Sequence, residues 1–349
     1  MLDSLKCILH GFLIGIASII PGVSGGSMAL ALGVYERLIA AVSHFGPRSV
    51  GATMGVLRFS EKSKHRFATE WRRIDGTFLC WIAVGGALSV VIFSKVMFWL
   101  LKFYHDPTYG FFTGLILVSI WVPLKMIRRF RFVEGFSCLA ALGLVLSLTL
   151  SADPEQQHID AKRKLEMKRA SSIEQTHVPQ PDTIPSPLDQ VDLGRMAFLV
   201  LCGAIAISAM VLPGVSGSFI MILLGVYFDV LQAVKDWDMV IISLFAGGCV
   251  LGLLLFTRLL KWVLARFHDV TIAFLTGLMA GSLLGLWPFR DFKLVQDDNI
   301  DFFERVDFGW IVRPIDENTF ATIVAFLVGS GFVIFFLKLD QANAQKKGG

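Results

Sequence analysis

A five-residue turn, Pro-Gly-Val-Ser-Gly, occurs twice within apolar sequence and constrains this chain more than any other feature. The two copies lie at 21–25 and 213–217, and Leu-Gly-Val-Tyr follows each at the same offset, at 32–35 and 224–227. Proline lacks a backbone N–H, and glycine adopts non-helical conformations easily. Each turn therefore predicts a break within an apolar helical segment.

A second repeated stretch indicates that the duplication extends along both halves of the chain. The pattern His-Asp-x-Thr-x-x-Phe-x-Thr-Gly-Leu runs over 105–115 and again over 268–278. Two motifs in the same order, at nearly the same separation, predict two homologous halves. Each His-Asp pair precedes an apolar segment, and Asp and Thr are good N-cap residues. We interpret both pairs as helix caps, with a role in gating as the alternative.

The composition places these halves in a membrane. Of the 349 residues, 54% are hydrophobic and only 17% are charged, whereas a soluble domain carries about 25% charged residues. The net charge of +4 is small and does not point to nucleic acid. The five cysteines are isolated, without a CxxC or Cys/His cluster, so neither a disulfide framework nor a metal site is expected.

The lengths of the apolar segments predict the fold. The segments flanking each repeated turn are about 16–19 residues, shorter than the about 20 residues that span the hydrocarbon core. We therefore predict that Leu5–Val42 and Arg195–Val234 are hairpins that enter the membrane, bend and return. Three further segments in each half would cross it. The predicted fold is an all-α polytopic membrane protein with two inverted repeats, each a broken re-entrant helical hairpin plus three transmembrane helices.

Polar stretches set the predicted domain boundaries. Residues 1–150 form the first membrane repeat and 193–349 the second, with an acidic insertion at 289–318. Between the repeats, 151–192 has the polar, Pro-rich composition of a mobile extramembrane linker. Basic residues are concentrated in the loops before the third and after the fourth segment, which the positive-inside rule places in the cytoplasm. The insertion and the linker then face outside, and the C-terminus faces the cytoplasm.

The tips of the two predicted hairpins form a candidate anion site. Opposed hairpins would meet near the membrane midplane, where non-helical backbone must be buried in protein or line a wet cavity. Helix N-termini offer N–H groups, glycine allows close approach and serine adds hydroxyls. The alternative is a tight turn between ordinary transmembrane helices. The candidate phosphate-binding residues are Gly22, Ser24, Gly25, Gly26, Ser27, Gly214, Ser216, Gly217 and Ser218.

Three ionisable residues lie in the second arms of the predicted hairpins. Glu36 and Arg37 follow the repeated tyrosine in the first half, and Asp229 takes the position of Arg37 in the second. Ionisable side chains within membrane helices are costly and are functional candidates. We predict that Arg37 attracts an anion and that Glu36 is a pairing or proton-coupling group. The alternative for all three is a side chain that reaches the membrane interface.

These motifs resemble the PopT-type polyprenyl-phosphate transporters, a bacterial membrane family. The resemblance rests on PGVSGGSMALALGVYERLI at 21–39, its echo at 213–227 and FFTGLI at 111–116, and it covers nearly the whole chain. The second tip has Ser-Phe at 218–219 where the first has Gly-Ser at 26–27. We therefore expect the first tip to hold the phosphate more closely.

The resemblance implies movement of undecaprenyl phosphate from the outer to the inner leaflet of the bacterial cytoplasmic membrane. The returned lipid carrier would be reused in the synthesis of peptidoglycan and other envelope polymers. The implied mechanism is alternating access around a midplane phosphate site. The implied partners are this lipid and the membrane, without nucleic acid, and no cofactor is expected. Proton or sodium coupling and assembly into a homo-oligomer are left open.

Two other functions compete with this interpretation. Undecaprenyl pyrophosphate phosphatases use a PGxSRSxxT-like turn, but Gly25 and Gly217 stand where its arginine would be, and the apolar segment from Leu5 to Ile20 contains no acid. Hydrolysis needs a cation on the phosphate and a nearby carboxylate. A transporter of a small soluble anion could use the same tips. A purely structural membrane subunit would leave the duplicated polar tips without a purpose.

Overall fold

Most of the chain is helical in the computed structural model, which describes residues 2–19, 24–46, 48–49, 51–52, 61–151, 154–174, 193–215, 217–297, 302–310 and 317–348. The candidate site residues Gly22 and Ser216 lie outside this set. In the first part of the chain the helices are α1 (Leu2–Ile19), α2 (Gly25–Ala31), α3 (Tyr35–Ser43), α4 (Glu61–Arg73), α5 (Gly76–Phe103), α6 (His105–Ser119), α7 (Trp121–Met126), α8 (Phe132–Ser151) and α9 (Pro154–Glu174). The second part contains α10 (Leu193–Val211), α11 (Gly217–Leu223), α12 (Tyr227–Lys235), α13 (Met239–Arg266), α14 (His268–Gly285), β1 (Arg290–Asp297), β2 (Phe302–Trp310) and α15 (Glu317–Gly348).

The number of long apolar helices confirms a multi-pass membrane protein. Within the described residues, seven stretches are long and apolar enough to cross a membrane: Gly76–Phe103, His105–Met126, Phe132–Leu150, Leu193–Val211, Met239–Arg266, His268–Gly285 and Glu317–Phe335. Six of them coincide with the three crossing segments predicted for each half. The seventh, Leu193–Val211, is the first arm of the second predicted hairpin, and its 19 residues would be about 28 Å long as a helix.

The second arm of the first hairpin is broken again, although it was predicted as one segment. Helices α2 and α3 meet at an angle of 117°. The break lies at Gly33, whose φ is +68°, and Gly225 has a φ of +74° at the equivalent place. The N–H of Val34 donates to the carbonyl of Ala29 at 3.0 Å, and the matching bond in the second half is also 3.0 Å. This is a Schellman helix stop, so Leu-Gly-Val-Tyr specifies a second turn.

In the first half, α1 (the first arm of the predicted hairpin) packs parallel to α5 (the first predicted crossing helix). Gly11 of α1 faces Ile82 of α5, where an added Cβ would lie 2.1 Å from the Ile82 carbonyl oxygen. One turn later, Gly15 faces Gly86. Because both numbers rise together, α1 and α5 run parallel. The glycines let the two backbones approach closely, as small residues do between membrane helices.

The second half repeats this parallel contact. Gly248 of α13 faces Val200 of α10, and Gly252 faces Ala204. A Cβ added at Gly248 would lie 2.1 Å from the carbonyl oxygen of Val200. Equivalent helices therefore meet in the same way in both halves, which gives the sequence duplication a structural counterpart.

The two halves exchange their last helix. In the first half, Gly114 of α6 packs against Phe326 of α15, which belongs to the second half. In the second half, Gly277 of α14 packs against Cys138 of α8, which belongs to the first half. In both contacts a Cβ added at the glycine would lie about 2.2 Å or less from a backbone carbonyl oxygen.

The chain divides into two compact units. Unit 1 comprises Met1–Met97, Ile116–Val145 and Asp192–Leu283, and unit 2 comprises Phe98–Leu115, Leu146–Val191 and Leu284–Gly349. Each unit takes segments from both halves of the sequence. Unit 1 contains both hairpin tips and the helices α1–α3 and α10–α13.

Unit 2 contains a helix packed on a β-hairpin where the sequence predicted a mobile linker and an acidic insertion. Strands β1 and β2 form an antiparallel hairpin in the predicted acidic insertion, which adds two short strands to the helices of this chain. Helix α9 packs on this hairpin through Ala161 and Leu165, which bury Val295 and Val306. The apolar side chains lie on one face of a helix whose overall composition is polar. The rest of the predicted linker, 175–192, lies outside the described residues.

Candidate functional site

The first tip is a helix start capped by its own serine. Ser24 has φ −99° and ψ 132°, an extended conformation, and its Oγ accepts a hydrogen bond from the N–H of Gly26 at 3.2 Å. Serine at this position satisfies one of the N–H groups that a helix start leaves without a helical partner. The sequence Ser-Gly-Gly therefore ends the incoming arm and begins α2 at Gly25.

The second tip is a tight turn that only glycine can complete. Helix α10 ends at Val211, and Gly214 follows with a φ of +78°. A Cβ added at Gly214 would lie 2.4 Å from the carbonyl oxygen of Leu278 in α14. Both the left-handed conformation and the close approach exclude a larger residue. The repeated Pro-Gly thus positions the second tip against α14.

The structure brings the two tips into direct contact. The N–H of Gly214 donates to Ser27 Oγ at 2.9 Å, and Ser24 Oγ donates to the carbonyl oxygen of Leu212 at 3.3 Å. A Cβ added at Gly26 would lie 2.7 Å from the carbonyl oxygen of Val211. Both serines are buried, with 9% of Ser24 and 1% of Ser27 exposed. Their hydroxyls join the first tip to the second.

Tyr35 is a functional candidate that the sequence analysis missed. It begins α3, is buried, and donates its hydroxyl proton to the carbonyl oxygen of Val211 at 3.1 Å. The second tip is therefore held both by the serines of the first tip and by this tyrosine. The signal was present in the sequence, because the tyrosine of Leu-Gly-Val-Tyr is repeated at the same offset in both halves.

The remaining tip residues differ in what the structure shows of them. Gly25 is tightly surrounded, since an added Cβ would lie 2.4 Å from Ser18 Oγ. Gly217 begins α11, and its added Cβ would lie 3.2 Å from the carbonyl oxygen of Ala206. Ser218 lies in the first turn of α11. Among the predicted residues that the structure describes, Ser24, Gly26, Ser27 and Gly214 meet between the tips.

The three charged candidates lie in contacts of their own. Arg37 Nε lies 2.6 Å from Asp75 Oδ2, and its guanidinium stacks over the ring of Phe78 at 4.1 Å. Asp229, at the equivalent position, pairs with Arg195 at 3.3 Å. Arg37 and Asp229 thus each form an ion pair, and the charge at this repeated position is positive in the first half and negative in the second. The charge of Arg37 is compensated by Asp75, which weakens the prediction that Arg37 attracts an anion.

Glu36 reaches across to the second half of the chain. Its Oε1 lies 3.0 Å from Nε2 of His268, and Nδ1 of the same imidazole lies 3.1 Å from Oδ1 of Asp269. Glu36 therefore contacts the His-Asp pair of the second half, and its role in pairing or proton coupling stays a prediction. This contact joins the second arm of the first hairpin to the start of α14.

The His-Asp pairs anchor the helices that the halves exchange. Asp269 accepts hydrogen bonds from the backbone N–H groups of Arg128 and Arg129, at 3.2 and 3.1 Å, just before α8. Asp106 accepts one from Asn318 Nδ2 at 2.9 Å, in the first turn of α15. Asp269 and Asp106 thus each bind a segment at or just before the start of a helix that the two halves exchange. Within the described residues, no group of three or more His, Cys, Asp or Glu is placed to hold a metal ion.

The sequence as a whole matches a known family. The family described as undecaprenyl phosphate translocase-like matches residues 14–302, which include both tips and both His-Asp pairs. The chain belongs to this family. The match confirms the resemblance that the repeated motifs indicated.

Two relatives match most of the chain. A polyprenyl-phosphate transporter of Vibrio cholerae serotype O1 is 32% identical over 292 residues, which cover 83% of this chain and 80% of the relative. A polyprenyl-phosphate transporter of Staphylococcus aureus is 27% identical over 293 residues, covering 80% of this chain and 85% of the relative. No solved structure matches the chain.

Proposed function

We propose that the protein is a flippase for undecaprenyl phosphate in the bacterial cytoplasmic membrane. It moves the lipid from the outer to the inner leaflet, so that the carrier is recycled for peptidoglycan and other envelope polymers. The observation that carries the proposal is the contact between the two tips, in a chain of the translocase-like family. The relatives named for polyprenyl phosphate support this class of substrate.

A lipid phosphate needs a protein path because its head is charged. The idealised cost of moving one such charge from water into hydrocarbon is of order 20 kcal/mol. A protein lowers this cost by replacing the lost water with hydrogen-bond donors, and donors to a charged oxygen form stronger bonds than neutral pairs do. The prenyl chain itself is apolar and can stay in the lipid.

The tips supply such donors within the membrane part of the chain. The hydroxyls of Ser24 and Ser27 and the N–H of Gly214 lie together, where in the structure they bind each other and the carbonyl oxygen of Leu212. In the loaded protein, phosphate oxygens take the place of these contacts. The phosphate would sit between the first and the second tip.

Parallel helix packing supports the re-entrant hairpins that alternating access requires. Because α1 and α5 run in the same direction, the chain between them must return to the end at which α1 began. The same holds for α10 and α13 in the second half. With basic loops placed in the cytoplasm, the two hairpins enter from opposite faces and form inverted repeats. Rocking of one repeat against the other would expose the tips to each leaflet in turn.

Reconstitution tests the proposal. Liposomes with the purified full chain receive a polyprenyl phosphate labelled with a fluorophore that an impermeant reagent can quench. We expect the quenchable fraction to rise faster than in protein-free vesicles, and a matched uncharged polyprenol probe to show no protein-dependent rate. Phosphate release and uptake of a labelled dicarboxylate, measured in the same vesicles, test the phosphatase and soluble-anion alternatives. Equal rates with and without the protein would refute the proposal.

A further inference from the structure

A cavity of about 320 Å³ lies in unit 1, beside the contact between Glu36 and His268. Lys261 and Arg128 complete its polar wall. None of the motifs that define the tips contributes to it. Its position at the ends of α3, α13 and the loop before α8 makes it a site distinct from the tips.

The two cations of the cavity are not neutralised by acids. Lys261 Nζ lies 2.7 Å from His44 Nε2. Burial lowers the pKa of His44, and the nearby charges of Lys261 and Arg73 lower it further, so this imidazole is neutral at pH 7 and accepts the bond. Within the described part of the chain, the guanidinium of Arg128 makes no ion pair. Both cations therefore keep their charge available to a ligand.

Glu36, which lines the cavity, and Asp269, which lies beside His268, are already held by other groups. Glu36 lies 3.0 Å from one nitrogen of His268, and Asp269 lies 3.1 Å from the other. Asp269 also accepts the backbone N–H groups of Arg128 and Arg129. The imidazole and the backbone thus engage the two carboxylates, and the side chains of Lys261 and Arg128 face the cavity without an acidic partner.

The rest of the cavity wall is apolar, and exposed aromatic side chains lie next to it. Ile39 and Leu264 are buried side chains of this wall, joined by Ala40. Next to it on α13, Trp262 is 60% exposed and its ring lies 6.3 Å from that of Phe267, which is 51% exposed. Exposed aromatic side chains at a helix end are typical of the membrane interface, at the level of lipid head groups. A lipid head can enter the cavity from the side.

We propose that this cavity binds the phosphate monoester head of a prenyl phosphate, with the first isoprene unit against the apolar wall. The inference rests on the proposed function and adds a second phosphate site, where the head is held before or after it passes the tips. Lys261 and Arg128 bind the phosphate oxygens, since a cation and a phosphate form strong charge-assisted hydrogen bonds. Inorganic phosphate shares this chemistry but would leave the apolar wall unused.

Photolabelling of the detergent-purified full chain tests this site. The probe is farnesyl phosphate with a diazirine in its first isoprene unit, and labelled peptides are identified by mass spectrometry. We expect labelling within 36–40 and 261–268, competed by farnesyl phosphate but not by farnesol. Arg128→Gln and Lys261→Gln should each reduce this labelling roughly tenfold. Arg129→Gln, which changes the same charge one residue away, should leave it unchanged, and Arg128→Lys should restore most of it.

The outcomes separate the site from the transport proposal. Labelling that is absent from both segments, or insensitive to Arg128→Gln and Lys261→Gln, overturns the inference even if wild-type protein transports the lipid. Competition by inorganic phosphate as effective as that by farnesyl phosphate would assign the cavity to the free anion and overturn it as well. Labelling that follows the expected pattern supports the site even if the liposomes show no transport. Melting temperatures of each variant confirm that the fold is retained.

Discussion

The backbone N–H of Gly214 donates a 2.9 Å hydrogen bond to the hydroxyl of Ser27, which lies 187 residues earlier in the chain. Gly214 lies within the second copy of the repeated turn, and Ser27 lies two residues after the first copy. The bond therefore shows that the two tips are in contact. Residues in contact of this kind are coupled, so their substitutions should not be additive.

Removing this bond should destabilise the protein. In Ser27→Ala the part-buried N–H of Gly214 loses its acceptor, and an unsatisfied donor that is shielded from water costs about 1–3 kcal/mol. Thermal unfolding in detergent should show a lower midpoint than for the wild type. Ser208→Ala is the control, because Ser208 Oγ donates only to the carbonyl of Ala204 in its own helix, at 2.7 Å. Equal loss in both variants would contradict the role of the tip contact.

The glycine contact between α10 and α13 should tolerate no side chain. In Gly248→Ala the new methyl group would lie 2.1 Å from the carbonyl oxygen of Val200, so the helices must separate, and overpacking of this kind costs about 1–3 kcal/mol. The neighbouring Gly247 has open space around it, so Gly247→Ala should be neutral or stabilising. Unfolding measurements of both variants check this, and similar losses in the two would argue against the contact.

The helix stop at Gly33 should show the cost of backbone strain alone. Its φ is +68° and nothing lies within 4 Å of an added Cβ, so Gly33→Ala introduces no clash. The left-handed conformation should still cost about 1–2 kcal/mol for alanine. Gly33→Asn should lose less, because asparagine tolerates this conformation. Comparison of the two unfolding midpoints gives the result, and an alanine variant as stable as the wild type would contradict the assigned turn.

The contact between His44 and Lys261 should make stability depend on pH. The pKa of His44 is lowered from 6.5, first by burial and then by the charges of Lys261 and Arg73. The neutral imidazole is therefore favoured in the folded protein, and its contribution is fully present above pH 6.5 and declines as the pH falls below that value. His44→Gln should lose this part of the acid sensitivity. The test measures the unfolding midpoints of the wild type and of His44→Gln between pH 5 and pH 8, a range about the unperturbed pKa of His. Parallel curves for the two proteins would contradict the role of His44.

Much of the fold could be predicted from local sequence. Apolar segments of sufficient length gave the crossing helices, and repeated Pro-Gly and Ser-Gly gave the tips. The break at Gly33 was not predicted, because the bend was assigned to Pro-Gly alone. Its signal is nevertheless present in the sequence, since Gly followed by an apolar residue is typical of a Schellman helix stop.

Other features had no local signal. The exchange of α8 and α15 depends on contacts between residues far apart in sequence, such as Gly114 with Phe326. The hydropathy of a segment does not indicate which distant segment it packs against. Among the described side chains, helix α9 buries Ala161 and Leu165 against the β-hairpin, too few apolar residues to distinguish it by sequence from a polar linker. The pairing of Glu36 with His268 likewise joins two segments that are 232 residues apart.

The most direct measurement is the initial rate at which the double variant Ser24→Ala/Ser27→Ala translocates polyprenyl phosphate in liposomes. This rate is compared with that of the wild type and with that of the control variant Ser208→Ala. Both tip hydroxyls are lost in the double variant, and each hydrogen bond to a charged group contributes about 1.5–3 kcal/mol. We expect a rate at least about tenfold below that of the wild type, at equal amounts of folded protein, with Ser208→Ala at the wild-type rate. A double variant that moves the lipid as fast as the wild type would contradict passage of the phosphate between the tips.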